Sequence, residues 1–356
     1  MKTPLIEGLS QGQFQAYLTA RQYDKLYWKT FFPIKNVNTL DGKTLIGDVG
    51  SRVAAMVISY NSKSPEAGRK AISTKVFDIP KVAFKRVKTE TQILEHRITK
   101  HIQGQNAVIE DYYDDFDFVV DACNAREEFF ALQALSKTTV QLTKTNNPQG
   151  IVNETVIDFG MPTANKKTVS VIWSTGNVAT MDPMADFKAV VKAARTKGIK
   201  FTKMLMDADA FDLVTAATLF QVYFKNTALD VVALIDLGTV NAVLRSYNLP
   251  EIVIIETSIG IEGKNGTITQ LNPWDTDHVT FINQVNQGRM FNGPIAEEIE
   301  KPLDVMQAKN ENVLVSVKKG FDPVNVTTKG ECNVFPSWPN VSSCFSLYTA
   351  NVSTWA

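Results

Sequence analysis

The chain has 356 residues, 44% of them hydrophobic, so it can form a folded core without a metal or disulfide staple. Lys and Arg number 37 together, as do Asp and Glu, and the formal net charge is zero. This balance argues against a protein that wraps nucleic acid tightly, because such proteins usually carry a net positive charge or a basic stripe.

The cysteines and the N-terminus bear on the cellular compartment. Cys123, Cys332 and Cys344 have no metal-binding spacing and are too few for a disulfide framework, which predicts buried thiols in a reducing compartment. The first residues lack the apolar core of a signal peptide, and no apolar run approaches the roughly 18 residues that cross a bilayer. We therefore expect a protein made in the cytoplasm, with no membrane segment.

The first predicted elements are an aromatic arm and a hairpin. Residues 11–29 carry five aromatic rings and predict a short helix or arm that needs another surface to lie on. Residues 53–87 predict a long hairpin with strands at 53–60 and 72–87 and a polar tip at 61–70. Pro80 indicates an edge or a break in the second strand.

A long helix over about 107–136 follows, because apolar residues recur at helical spacing from Ile109 through Phe116 to Phe130. Its opposite face is acidic. A β-rich stretch is predicted over 140–158. The next helix begins at Pro183, with Asp182 as N-cap, and ends at Gly198.

The rest of the chain mixes both element types. We predict strands over 201–206 and 251–256, a helix over 209–225, a hairpin turn at 263–266, and mostly short strands and turns to the end. Strands and helices do not alternate regularly, so the predicted class is α+β with an interrupted sheet.

Catalytic and binding motifs are weak. Gly42-Lys43-Thr44 has the ending of a phosphate-binding loop, but Val37 stands where its first glycine should be. The glycines at 260, 263 and 266 have hairpin rather than dinucleotide-binding spacing. His96 and His101 are five apart and fall on different helix faces, which makes a poor metal pair.

The best candidate for metal or acid–base chemistry is the loop that holds Asp275, Asp277 and His278. A solvated polar loop is the ordinary interpretation of such a cluster. We predict no catalytic residue, no cofactor, no bound metal and no enzymatic activity.

Several segments resemble one family in chain order. The stretch 22–32, which ends in Phe31-Phe32, is similar to an aromatic N-terminal arm, and 57–88 resembles an extended loop with a Gly68-Arg69 tip. Later segments at 287–293 and 335–339 also correspond. Together they resemble the major capsid proteins of tailed bacteriophages, specifically the lambda-like capsid protein E family.

The resemblance implies the tailed-phage capsid (HK97-like) fold. Its parts would be an N-terminal arm (1–50), an extended β-hairpin loop (51–87), a peripheral domain with a long spine helix (88–167), an axial domain (168–305) and a return to the peripheral domain (306–356). Family members form hexamers and pentamers that close into an icosahedral shell around packaged DNA. The implied partners are the chain itself, a scaffolding protein, a portal and optionally a decoration protein, with weak non-specific contact to double-stranded DNA.

Charge is unevenly distributed along the chain. Residues 43–103 carry twelve basic and five acidic side chains, a difference of +7, whereas 104–131 carry one basic and eight acidic ones, a difference of −7. In this fold the extended loop lies over the spine-helix region of a neighbouring subunit. We therefore hypothesise that basic hairpin residues meet acidic helix residues of an adjacent subunit: Lys63, Arg69, Lys70 and Lys75 against Asp114, Asp117 and Asp121.

Apolar residues should supply most of the binding between subunits, among them the arm residues Tyr27, Trp28, Phe31 and Phe32. Reversing the charges of Asp114 and Asp117 should impair assembly without unfolding the subunit. Pairing within one chain, or simple solvation of the helix face, is the competing explanation of the charge pattern.

Two other functions stay open from the sequence. One is the shell of a cellular nanocompartment with the same fold, which would enclose protein rather than DNA. The other is an α+β enzyme that uses Asp275, Asp277 and His278. The capsid resemblance favours a virion shell protein made in the cytoplasm of a bacterial host.

Overall fold

The computed structural model describes residues 6, 9–23, 26–47, 72–103, 105–150, 156–226, 231–232 and 235–355. These residues form two compact units, and each unit is discontinuous in sequence. Unit 1 comprises 1–42, 76–130 and 289–337, and unit 2 comprises 43–75, 131–288 and 338–356. Among the described helices, none is both long and apolar enough to cross a membrane.

The described α-helices range from four to 33 residues, and four short 3-10 turns lie between other elements. The helices are α1 Gln11–Ala20, α2 Tyr27–Phe31, α3 Glu90–Gln103, α4 Gln105–Lys137, α5 Pro183–Thr196, α6 Ala208–Ala216, α7 Thr218–Gln221, α8 Leu237–Ser246 and α9 Ala296–Ile299.

The described strands are short except for one of 13 residues. They are β1 Ile34–Asn36, β2 Asp41–Gly47, β3 Ile72–Asp78, β4 Lys81–Lys88, β5 Thr139–Val140, β6 Ile157–Asp158, β7 Lys166–Thr168, β8 Lys203–Asp207, β9 Lys225–Asn226, β10 Val231–Val232, β11 Glu251–Ile255, β12 Ile259–Glu262, β13 Ile268–Leu271, β14 His278–Ile282, β15 Arg289–Asn292, β16 Val305–Asn310, β17 Val313–Gly320, β18 Asn325–Ser337 and β19 Phe345–Tyr348.

Unit 1 is built around a six-stranded sheet with the order β1-β15-β18-β17-β16, in which β4 also pairs with β18. The long strand β18 holds this sheet together. Its first residues pair antiparallel with β17 and β4, and its last four residues pair with β15. All of β18 from Gly330 onward is buried.

The long helix α4 lies against this sheet. The ring centroids of Phe84 in β4 and Phe118 in α4 are 5.7 Å apart. At Gly330 a side chain would meet the backbone carbonyl of Val119 at 2.7 Å, so strand and helix approach as closely as glycine allows. The predicted helix over 107–136 is confirmed, because α4 spans Gln105–Lys137 and buries Phe116, Val120 and Cys123 on one face.

Unit 2 contains a five-stranded sheet with the order β11-β8-β14-β19-β7. Strands β8 and β11 are parallel, whereas β14 is antiparallel to both of its neighbours. Phenylalanine rings from α5, β14, β19 and the segment before β8 pack together: Phe187 is 6.1 Å from Phe281, and Phe201 is 5.4 Å from both Phe281 and Phe345.

Helix α5 has the predicted end signals. The Asp182 carboxylate accepts a hydrogen bond from the Ala185 N–H at 3.0 Å, and Pro183 occupies the first turn. Gly198, just beyond the end of the helix, has a φ of 70°, which favours glycine. The predicted hairpin turn at 263–266 is also confirmed, between β12 and β13.

Other expectations need correction. The strand that pairs with β3 is β2, Asp41–Gly47, so the described base of the hairpin lies earlier than 53. The return segment breaks after Asp78, consistent with Pro80, and β4 then pairs with β18. The proposed strand at 53–60 lies outside the described residues.

The predicted helix over 209–225 is two helices, because Ala217 has an extended backbone (ψ 121°) between α6 and α7. The Thr218 N–H that follows donates to the Val178 carbonyl instead of continuing the helix. In the predicted β-rich stretch, the described strands are only the two-residue pair β5 and β6. Helix α3 was not assigned from the sequence.

Candidate assembly surfaces

The aromatic N-terminal arm lies on α4 of its own chain. The rings of Phe14 and Phe116 are 4.5 Å apart, and Tyr17 stacks on Tyr113 at 3.9 Å with an interplanar angle of 8°. Such offset aromatic pairs add to the free energy of apolar burial. The surface that the arm requires is therefore provided within unit 1.

Asp117 of α4 collects three polar partners from the arm. Its carboxylate accepts hydrogen bonds from the Tyr17 hydroxyl at 2.8 Å and the Tyr23 hydroxyl at 3.1 Å, and it pairs with Arg21 at 3.0 Å. Burial, together with this carboxylate, raises the pKa of both tyrosine hydroxyls. Both tyrosines are therefore held as neutral hydrogen-bond donors.

Glu128 of α4 anchors the second arm helix. Its two carboxylate oxygens accept hydrogen bonds from the backbone N–H groups of Tyr27 (3.0 Å) and Trp28 (2.8 Å) at the start of α2. Helix α2 has no side-chain cap of its own, so Glu128 supplies the missing acceptors. Burial raises the pKa of Glu128 to about 7, against the opposing effect of the two backbone donors.

The preceding residue, Glu127, is fully buried on another side of α4. It accepts a hydrogen bond from the Asn312 side chain at 2.5 Å and lies 3.6 Å from the Cys332 sulfur. Burial raises its pKa to about 8, although the Asn312 and Cys332 contacts act in the opposite direction. The carboxyl group is therefore largely protonated at neutral pH.

The residues predicted to join subunits fall into three groups. Trp28, Phe31 and Phe32 are buried within their own chain and Tyr27 is half-buried. Asp114, Asp121 and Lys75 are exposed, whereas Asp117 is engaged by the arm. Lys63, Arg69 and Lys70 lie outside the described residues. The contact between basic hairpin and acidic helix thus stays a prediction.

Part of the charge complementarity is used within one chain. Asp115 of α4 pairs with Lys88 at 3.0 Å and with Arg86 at 3.5 Å, both from β4. The Arg86 guanidinium also lies 3.6 Å from the centre of the Phe118 ring. These pairs show that intramolecular pairing accounts for some of the basic and acidic runs found in the sequence.

The hairpin between β17 and β18 carries a surface that was missed from the sequence. Phe321 at its tip is 93% exposed, and Leu303, at the same end of the sheet, is 85% exposed. Large apolar side chains this exposed are candidates for contact with another protein surface. The sequence signal was an aromatic residue inside the turn Gly320-Phe321-Asp322-Pro323, where polar residues are usual.

The Asp275–His278 loop is held by structural contacts. Asp275 accepts from His278 Nδ1 at 2.9 Å and pairs with Lys137 at 2.7 Å. The His278 ring is buried, 4.9 Å from Tyr348 and 5.2 Å from Trp355. Burial opposes ionisation of Asp275, but the His278 and Lys137 contacts outweigh it and lower its pKa.

Other sequence candidates also have structural positions. The Gly-Lys-Thr motif begins in β2, and Cys123, Cys332 and Cys344 are buried free thiols. The side chains of His96 and His101 lie outside the described residues. Among the described side chains, no three His, Cys, Asp or Glu groups lie close enough to hold a metal ion.

Two solved structures share the fold. A phage-related protein from Bordetella bronchiseptica superposes with a TM-score of 0.50 at 13% identity, covering 96% of this chain and 97% of that one. A protein assigned as the capsid protein of an Escherichia coli prophage superposes with a TM-score of 0.54 at 14% identity, covering 96% and 99%. The chain therefore has the tailed-phage capsid (HK97-like) fold.

The sequence signature of the family described as phage major capsid protein E matches residues 15–348. A search of curated proteins finds no match. The chain belongs to the phage major capsid protein E family. It is a shell-forming protein of the virion capsid that associates with copies of itself, and the nanocompartment alternative is not favoured.

Proposed function

We propose that this subunit forms hexamers and pentamers that close into an icosahedral shell around packaged double-stranded DNA. The observation that carries this proposal is the family match over 15–348. Assembly would use a scaffolding protein and a portal, with a decoration protein as an optional outer partner and weak, non-specific contact to DNA. The chain would be made in the host cytoplasm and would have no catalytic role.

The described surfaces suggest how the shell is held together. Phe14, Leu18, Trp28, Phe31 and Phe32 of the arm are buried on their own subunit, whereas Phe321 at the β17–β18 tip would offer apolar area to a neighbour. Lys63, Arg69, Lys70 and Lys75 of the hairpin would set the register against Asp114 and Asp121 of the adjacent subunit. Charge pairs of this kind affect specificity and association rate more than affinity.

Particle mass tests the overall proposal. Purified protein, with its scaffold where needed, should give closed shells or stable rings of five and six in light scattering and electron microscopy. A small species that never assembles under any of these conditions would refute it. A catalytic activity that is present in wild type and lost in folded His278→Ala would contradict the non-enzymatic function. The fold of this variant is checked first, because the His278 side chain is buried against Tyr348 and Trp355.

The apolar tip gives a sharper test. Phe321→Ser should leave the stability of the isolated subunit within about 0.5 kcal/mol of wild type, since the ring is almost fully exposed. It should weaken each subunit contact by about 1–3 kcal/mol and lower the assembled fraction in sedimentation. Phe321→Leu is the matched control and should assemble. Normal shells from Phe321→Ser would exclude the tip as a contact.

A further inference from the structure

The six-stranded sheet of unit 1 ends at β16, which pairs with β17 on one side only among the described residues. Such an edge strand presents unpaired backbone N–H and C=O groups and is a template for another strand. In β16 the outward-facing groups belong to alternate residues that include Gln307 and Lys309.

Helix α1 covers this edge with side-chain amides rather than with a strand. The Gln15 amide donates from Nε2 to the Lys309 carbonyl at 2.9 Å, and its Oε1 accepts from the Lys309 N–H at 3.0 Å. One turn earlier, Gln11 Nε2 donates to the Gln307 carbonyl. Gln15 thus makes the same pair of hydrogen bonds with Lys309 that a residue of a neighbouring antiparallel strand would make.

The helix is attached at its other end as well. The Asn310 side chain donates to the Leu18 carbonyl at 2.6 Å, in the last turn of α1. Gln11, Gln15 and Leu18 follow i, i+4, i+7 spacing, so one face of the helix meets β16. Phe14 and Leu18 of the same helix are buried.

The edge itself is compatible with a second copy of β16. Two copies paired antiparallel around Gln307 would form an isologous contact, with Lys309 of each opposite Val305 and Asp304 opposite Asn310. No like charges would face each other across this pair, so charge does not oppose it. The chain also belongs to a family whose members associate with their own copies.

We propose that the edge of β16 is an association surface for the β16 strand of a second copy, and that the Gln11 and Gln15 amides of α1, which occupy this edge in the subunit, compete with that strand. This inference rests on the proposed shell function, because it assigns self-association to one strand. The arm would then have a second function, because α1 would keep unassembled subunits from pairing through their β16 edges.

The test uses unassembled full-length subunits separated from shells by sedimentation. The variant Gln11→Leu/Gln15→Leu removes the amides and keeps the helix. Gln141→Leu, at an exposed position in unit 2, is the matched control for added apolar surface. The readouts are the self-association constant from analytical ultracentrifugation and the hydrogen-exchange rate of the Lys309 amide.

We expect self-association of the double variant to tighten on the order of tenfold, because the three side-chain hydrogen bonds from Gln11 and Gln15 no longer compete. At concentrations that keep it monomeric, the Lys309 amide should exchange faster than in wild type. Wild type and Gln141→Leu should show neither change. Adding Lys309→Pro, which removes the outward N–H without touching the bonds to β17, should abolish the new association.

Three results would overturn the inference. If the Lys309 amide stays protected in the double variant, the glutamines do not cover the edge. If this amide exchanges fast but the variant does not associate, the uncovered edge is not an association surface. If association persists with Lys309→Pro, another surface causes it. Shell formation by the wild-type protein is measured separately by electron microscopy. A wild type that forms no shells would refute the proposed function, but it would not change the self-association constant or the hydrogen-exchange rate of the variants.

Discussion

Glu127 and Glu128 are adjacent in α4 and identical in chemistry, yet they have different structural functions. Glu128 accepts hydrogen bonds from two backbone N–H groups of the arm. Glu127 accepts a hydrogen bond from the Asn312 amide, and its other carboxylate oxygen has no hydrogen-bond partner. An ionised carboxylate at Glu127 would have too few hydrogen-bond donors to compensate its charge, and burial therefore favours the protonated form.

This difference predicts a pH dependence. The pKa of Glu127 is 4.5 in a solvated chain and about 8 in the folded subunit, so the folded state holds a proton that the unfolded state releases between these values. Stability from this group is complete below about pH 4.5 and falls as pH rises to about 8, by roughly 1.4 kcal/mol per unit. Glu127→Gln should remove that slope.

Urea denaturation of unassembled subunits from pH 5 to 8 measures the effect. Relative to wild type, Glu127→Gln should gain on the order of a few kcal/mol across this range, because it cannot ionise. A constant difference between the two proteins over the whole range would contradict a buried, protonated Glu127.

Glu128→Gln is the matched comparison. An amide has one acceptor oxygen, so its NH2 group would face the N–H of Tyr27 or Trp28 without an acceptor between them. We expect faster hydrogen exchange at these two backbone amides and a loss of about 1–3 kcal/mol from the docked arm. Unchanged exchange would show that Glu128 does not cap α2.

At the scale of elements, the approach of β18 to α4 sets the geometry of unit 1. Gly330→Ala would place a methyl group 2.7 Å from the Val119 carbonyl oxygen, and neither backbone can yield without moving an element. We expect a loss on the order of 1–3 kcal/mol in denaturant unfolding. Wild-type stability in this variant would mean that the sheet and the helix can move apart with little loss of folding free energy.

Gly12→Ala, in α1, is the contrasting control. A side chain there has no neighbour within 4 Å, and alanine favours helix over glycine. The variant should be neutral or stabilising by up to about 1 kcal/mol. The opposite signs expected at Gly330 and Gly12 separate close packing from the general effect of replacing glycine.

At the scale of the whole molecule, the structure changes how the charge hypothesis is tested. Asp117 holds Arg21, Tyr17 and Tyr23, so reversing its charge would also release the arm. Asp114 is exposed and is the cleaner position. Asp114→Lys should impair assembly, more at low salt than at high salt, while subunit stability stays within about 0.5 kcal/mol.

The controls use the same charge change elsewhere. Asp212→Lys, at an exposed position of α6, should assemble normally. Adding Lys75→Glu to Asp114→Lys should restore part of the assembly if the hairpin of one subunit meets α4 of the next. Normal shells from Asp114→Lys, counted by electron microscopy, would leave solvation as the explanation of the acidic face.

The sequence alone determined the features that depend on neighbours along the chain. The apolar stripe of α4, the caps of α5 and the turn at 263–266 were all predictable, because helix period, capping and turn chemistry act over a few residues. The arm and extended-loop segments also carried the family resemblance that the match over 15–348 confirms.

Only the tertiary structure decided which distant segments meet. The pairing of β2 with β3, the cover of β16 by Gln15 and the separate burial of Glu127 and Glu128 each join residues far apart in sequence. A glutamate reads as exposed in a sequence, because burial of its charge is costly unless a particular partner is present. That partner is supplied by folding of the whole unit, so local pattern could place the acidic residues on α4 but could not say which of them the arm and the sheet enclose.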